Sequence, residues 1–305
     1  MTRSEMVAFP WDVGREANES RRVLVTGAAG RLGAAVLADL FEHDIPVRGV
    51  DRIPIDRSAP GGPHMTLDGT DVGQLVTAMR GCRAVIHLGA IPAPNRHTDD
   101  VVFRNNTAAT FAVLQAAAAT GVRRVVVASS ASILGHAWAP TDVFPDYAPV
   151  DERHPLRPLD PYALSKAVDE LTCRTFAARY GMNIPMLRLS TILTATNAKL
   201  WAKETATDPL SDWHRPRVLW SYVDIRDAAA TCRLALTSPT VGARAYNVTA
   251  ADTLAPLDTA ELLETYAPTV RITRTMIGSE TAWSLDRARD ELGYEPQFSW
   301  RDGDR

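Results

Sequence analysis

The sequence predicts an α/β protein built on a doubly wound parallel sheet. Three observations carry that expectation. Short β-rich runs alternate with helical segments over residues 22–189. The strand candidates are continuous apolar stretches, as strands covered on both faces should be. The first of them stops at Thr26-Gly27-Ala28-Ala29-Gly30-Arg31-Leu32-Gly33, a glycine cluster that opens directly into a helical segment.

Taken in order, residues 22–26 read as the first strand, 33–41 as a helix and 46–51 as the second strand, which together make a βαβ unit. A short strand at 64–67, a helix at 71–79 and a strand at 84–88 follow. Residues 102–119 read as a long helix, and 125–128 as a strand running into Ser129-Ser130. Residues 161–180 form the next helix, with Asp160 as N-cap and Pro161 at its first position. Residues 186–189 are a further strand. Beyond Ser190 the pattern weakens, and 191–220 reads as polar and irregular. A helix at 224–235 and a strand at 245–248 resume the alternation. These spans imply an N-terminal extension at 1–20 and a nucleotide-binding domain at 21–190, to which 222–250 returns. Residues 191–221 and 251–305 are left as a small C-terminal α/β lobe, expected to lie as a lid over the C-terminal edge of the sheet.

The 305 residues, 46% hydrophobic and 23% charged, have the proportions of a globular protein with a core large enough to need no staples. A formal net charge of −3 leaves no basic footprint, so nucleic acid is not an expected partner. Cys82, Cys173 and Cys232 are far apart, with no Cys-x-x-Cys or Cys/His cluster nearby. Neither a disulfide framework nor a metal site is indicated, and buried free thiols in a cytoplasmic protein are expected. Residues 1–20 lack the apolar run of a signal peptide, and no stretch approaches the ~20 apolar residues of a membrane span.

The glycine cluster has a physical rationale. Gly27 permits a tight turn, Gly30 lets the backbone approach a pyrophosphate, and Gly33 lets helix pack on strand. The helix N-terminus then faces the phosphates with free N–H groups, and Arg31 and Leu32 lie inside the glycine loop. Asp51, ending the second strand, suits the adenosine ribose hydroxyls and repels a 2′-phosphate, which favours NAD. Arg52 and Arg31 could pair with such a phosphate, so NADP stays open.

Tyr162 and Lys166 stand four apart on one predicted helix and share a face. An ammonium beside a phenol favours the phenolate, so the pair can move a proton to or from a substrate hydroxyl. Ser130, at a strand end, can hold the substrate oxygen. Alone, Tyr-x-x-x-Lys is a common surface pattern. Its order after a nucleotide loop and a Ser-Ser strand end makes it informative.

With these motifs the chain resembles the extended short-chain dehydrogenases/reductases, the NAD-dependent epimerase/dehydratase superfamily, over residues 22–248. The resemblance implies a Rossmann-type sheet with a small C-terminal substrate-binding lobe. Further segments carry it. Asp68-Gly69-Thr70-Asp71 matches a segment whose first acid contacts adenine. His87-Leu88-Gly89-Ala90 matches the strand end beside the adenine ribose. Asn106-Thr107-Ala108-Ala109-Thr110 resembles Asn-x-x-Gly-Thr, and Ala288-Arg289-Asp290-Glu291-Leu292-Gly293-Tyr294-Glu295-Pro296 resembles a C-terminal family motif. By resemblance, Ser130 is the catalytic serine, Tyr162 the general acid/base and Lys166 the residue bonding the nicotinamide ribose. Asn106 is a structural and active-site amide.

The resemblance breaks in the substrate half. Trp220 stands where many nucleotide-sugar enzymes carry an arginine for the diphosphate, a role an indole cannot fill. Arg215, Arg217 or Lys199 could compensate. Uronate dehydrogenases are also similar, yet Ala131, Ser132 and Pro92 depart from their substrate residues, while Thr191 keeps a hydroxyl. Ser130, Ser132, Thr191 and Trp220 are the substrate-side candidates, and His136, Trp138, Trp201 and Trp213 are possible wall residues. The resulting expectation is an NAD-dependent oxidoreductase acting on a sugar or sugar-like hydroxyl or ketone. The alternative is a nucleotide-sugar epimerase or dehydratase with tightly held NAD. A protein that only senses the dinucleotide would not need Tyr162 and Lys166. Resemblance also implies a homodimer, pairing helices 102–119 and 161–180 across a two-fold axis.

Overall fold

The computed structural model describes residues 22–212 and 214–302; the readings of residues 1–20 and Trp213 lie outside them. In chain order the first half contains β1 (Arg22–Thr26), α1 (Arg31–Glu42), β2 (Val47–Asp51), β3 (Met65–Thr66), α2 (Val72–Met79), β4 (Cys82–His87), α3 (Asp99–Thr120) and β5 (Arg124–Ser130). Then come β6 (Tyr147–Ala148), α4 (Pro161–Tyr180), β7 (Ile184–Leu189), β8 (Thr191–Leu193), α5 (Ala195–Thr207) and α6 (His214–Arg217). The remainder is β9 (Tyr222–Asp224), α7 (Ile225–Thr237), β10 (Ala243–Val248), α8 (Thr259–Tyr266), β11 (Arg271–Ile272) and α9 (Asp286–Leu292).

Seven strands form one sheet in the order β10-β7-β5-β4-β1-β2-β3, and every pairing is parallel. This is a doubly wound Rossmann-type sheet. Its strand order reverses between β1 and β4, which opens a crevice at their C-terminal ends. Helices cover both faces because the strands are apolar on both. Val36, Leu37 and Leu40 of α1 and Ala228, Ala229 and Cys232 of α7 join one core. Leu75 of α2, Val113 and Ala117 of α3, and Cys173 and Phe176 of α4 join the other. All three cysteines are buried. Among the described residues no helix is long and apolar enough to cross a membrane.

Two smaller sheets lie off the main one, β11 beside β6 and β8 beside β9. The expectation of an irregular 191–220 is corrected here: β8, α5 and α6 all fall within it. The Thr194 side chain caps α5 by accepting from the Asn197 N–H. The inward side of α5 is built from Ala198, Ala202 and Thr205, small residues that give little apolar signal. Asp71 and Asp224, read as first helical residues, are instead the N-caps of α2 and α7.

Candidate active site

The crevice at the strand ends widens into a cavity of about 810 Å3. At one end are Gly27, Gly30, Arg31, Leu32, Gly33, Asp51, Arg52, Asp68, Gly69, Leu88, Gly89 and Ala90. The turn between β1 and α1 is tight for a steric reason. A Cβ on Gly33 would lie 2.1 Å from the Gly27 carbonyl oxygen, and one on Gly27 would lie 2.7 Å from the Gly89 nitrogen. No side chain caps α1 at Gly30. Its first N–H groups are therefore open to the cavity, an arrangement that fits a dinucleotide's pyrophosphate. The Asp51 carboxylate accepts from the Ala29 N–H at 3.0 Å and the Ile53 N–H at 3.3 Å, which aims it at the same space. Asp68 accepts from the backbone and hydroxyl of Thr70, and these bonds hold its carboxyl below the usual carboxylate range.

Ser130, Tyr162 and Lys166 line the same cavity, together with Ser132 and Thr191. β5 delivers Ser130 at its last position, where the Oγ atoms of Ser130 and Ser132 lie 2.6 Å apart. Asp160 accepts from the N–H groups of Tyr162 and Ala163, so α4 starts where it can present Tyr162 from its first turn. Lys166 lies one turn on, with its Nζ 5.9 Å from the centre of the Tyr162 ring. It donates to the Ala128 carbonyl at 3.0 Å and to Asp169 at 3.3 Å. His87 sits between the hydroxyls of Thr26, at 2.7 Å, and Thr110, at 3.2 Å. Burial, and then the nearby Lys166 charge, push it down to about 3, so this histidine is neutral.

Several expected residues are elsewhere. Asn106 does not line the cavity. Fully buried, it clamps Ile91, accepting from its N–H at 2.8 Å and donating to its carbonyl at 3.1 Å, and it bonds Ser165. It supports the loop carrying Pro92, Asn95 and Arg96, which do line the cavity. Trp220 is a core residue, 1% exposed, whose Nε1 donates to the Pro209 carbonyl at 3.0 Å. It packs edge-on against Tyr266, so its expected place against the substrate is corrected. Arg215 and Arg217 are not on the cavity wall either. Arg215 bonds Glu204, Thr205 and Ser211, and Arg217 bonds Asp142 and the Ala139 carbonyl. Lys199 is not on the wall, and His136 is buried edge-on against His154. Trp138 and Trp201 do line it, and the Arg215 guanidinium stacks 5.0 Å over the Trp201 ring.

Asp212, Asn95 and Arg96 on the wall had no motif to announce them. Asp169 did have one, because it stands three residues after Lys166 on the same helix face.

Residues 23–249 match the NAD dependent epimerase/dehydratase family. A UDP-glucose 4-epimerase of Azospirillum brasilense is 32% identical over 186 residues, 59% of this chain and 51% of that protein. The chain thus spans about half the length of that relative. An NAD-dependent glucose-6-phosphate dehydrogenase of Haloferax volcanii is 32% identical over 214 residues, 66% of this chain and 76% of that protein. A short-chain dehydrogenase/reductase superfamily protein from Agrobacterium tumefaciens, solved with bound NAD, superposes with a TM-score of 0.68. It is 28% identical and covers 92% of this chain and 93% of its own.

Proposed function

The chain belongs to the NAD-dependent epimerase/dehydratase family, and from that premise we propose that it is a dehydrogenase or reductase of a sugar or sugar-like substrate, with net hydride exchange. The observation that carries this reading is the state of the lobe's arginines beside an intact Ser130, Tyr162 and Lys166. Arg215 and Arg217 are bound within the chain. Besides Lys166, the charged wall residues away from the glycine loop are, among the described residues, Arg96 and Asp212, one of each sign. That balance suits a hydroxylated ring better than a diphosphate. Trp138 and Trp201 add aromatic surface to that wall.

Gly27, Gly30, Gly33 and the first turn of α1 would hold the dinucleotide's phosphates, and Asp51 would hold its adenosine ribose. Bound NAD supplies the site that accepts or donates hydride. Ser130 donates a hydrogen bond to the substrate oxygen. Tyr162 takes the hydroxyl proton during oxidation and returns it during reduction, and the Lys166 ammonium stabilises the phenolate. We read residues 191–221 and 251–302 as the lobe that selects the substrate. The chain also pairs as a homodimer through α3 and α4, where Phe111, Leu164 and Leu171 are exposed. Light scattering at micromolar concentration is expected to give twice the chain mass, and a monomer mass would remove the dimer.

Purified protein with NAD and a panel of free sugars is expected to accumulate NADH. Tyr162→Phe is expected to lower kcat by roughly 10²–10⁴-fold. Interconversion of a UDP-sugar without net NADH would replace this reading with the epimerase. A Phe variant of unchanged rate would end the proton-transfer role.

A further inference from the structure

Lys166 is buried to 3% exposure, on a helix that runs beneath the strand ends. An ammonium has three N–H donors. The Ala128 carbonyl takes one at 3.0 Å and the Asp169 carboxylate another at 3.3 Å, which leaves one for the cavity. Asp169 is itself 1% exposed, so water cannot stand in for either partner. A lone ammonium in such a place would lose its proton rather than stay desolvated.

The neighbours of the pair are already committed. On α4, Glu170 forms a two-bond pair with Arg188 and accepts from Ser129. The Cys173 thiol is pushed far up by burial and stays neutral. Tyr162 faces Lys166 from the preceding turn. From α3, the Thr110 hydroxyl is engaged with His87 at 3.2 Å. From β4, His87 is neutral. Asp169 is therefore the group left to balance the Lys166 charge.

Resting on the roles given above to Tyr162 and Lys166, we propose that Asp169 is a positioning residue for the reaction. Its ion pair keeps the Lys166 ammonium charged, and together with the Ala128 carbonyl it turns that charge toward Tyr162. Burial pushes the Lys166 ammonium down, and Asp169, followed by the neighbouring Tyr162, brings it back above the usual lysine value. The phenolate thus keeps a cation beside it that the protein itself supplies. Removing the carboxylate would leave Lys166 in place but discharged.

The chain has three lysines, Lys166, Lys199 and Lys203, so lysine labelled with ¹³C at Cε gives three NMR signals. Lys166→Met identifies the first. Without cofactor or substrate, the wild-type Lys166 signal is expected to keep its ammonium position up to at least the ordinary lysine midpoint, about pH 10.4. In Asp169→Asn the ammonium is expected to lose its proton below neutral pH, a drop of roughly 3–5 pH units. The same variant is expected to oxidise substrate about 10-fold more slowly at neutral pH, with the rising limb of its rate moved to higher pH. A purely structural role would lower the folded fraction without moving that limb. A Lys166 signal identical in wild type and Asp169→Asn overturns the proposal. Should the variant fail to fold, the wild-type titration alone decides, because a Lys166 already neutral at pH 7 overturns it. The lysine signal needs no turnover, so failure of the Tyr162 assignment would show separately in Tyr162→Phe.

Discussion

Asp51 holds the loop with the same carboxylate that is proposed above to meet the adenosine ribose. Its two oxygens accept backbone N–H groups from either side of the strand end, so its position is set before any ribose arrives. Arg52 lies next to it and Arg31 across the glycine loop, both on the cavity wall. On the proposed reading, selection against a 2′-phosphate rests on one negative charge that shares the cavity wall with two cations. Asp51→Asn keeps an acceptor for the Ala29 N–H but removes the charge. The ratio of Kd values for NADP and NAD is expected to fall about 10-fold, or ~1.4 kcal/mol, with little change in Tm. Titration of both cofactors checks this, and an unchanged ratio would move the discrimination elsewhere. Trp220 shows the opposite relation between sequence and role. It drew notice as a missing arginine, yet its ring fills the core under the lobe. Trp220→Ala is expected to cost about 3–5 kcal/mol in denaturant unfolding.

At the scale of elements, the β1–α1 turn joins packing to binding. Gly33 is where the helix meets the strand, with no room for a methyl group. Gly33→Ala must push α1 away from Gly27 and so widen the cradle for the phosphates. The expected outcome is about 1–3 kcal/mol lost in stability and NAD binding weakened about 10-fold or more, read by denaturation and calorimetry. This turn and α4 could be read from sequence because each is specified by neighbours in the chain: an apolar run, spaced glycines, and Asp160 before Pro161. The segment holding β8, α5 and α6 could not. Its inward residues are small or polar, and the chain leaves α6 through Leu219 and Trp220, both with positive φ, at 56° and 50°. Neither side chain favours that backbone region, so no turn signal marks it.

For the whole molecule, pH bears on stability through buried histidines. Burial pushes both His87 and His136 down to about 3. The unfolded chain protonates near pH 6.5, well before the folded one, so their contribution is full above that pH and falls as pH drops toward 3. Each histidine removes about 1.4 kcal/mol per pH unit over that window. Asp227 has the opposite sign. Burial raises it to about 6 despite N–H bonds from Gln297 and Phe298, so its folded form takes a proton first. The stability it adds is present below about pH 4 and lost as pH rises through 6. Urea unfolding from pH 7 to 4 is expected to show falling stability, flatter in His136→Gln and steeper in Asp227→Asn. A pH-independent midpoint would mean that neither histidine stays neutral in the fold.

The alternation of buried strands and helices, the glycine turn and the Tyr162/Lys166 pair were all legible before folding, because each rests on spacing within one or two elements. The folded chain alone assigned Asn106 to Ile91 and Ser165, Arg217 to Asp142, and Trp220 to Pro209 and Tyr266. Those partners are brought together by packing between distant segments, which no local rule of spacing encodes. The Lys166–Asp169 pair lies between the two cases. Its spacing is local, but its charge matters only because the sheet and α3 close over it and exclude water.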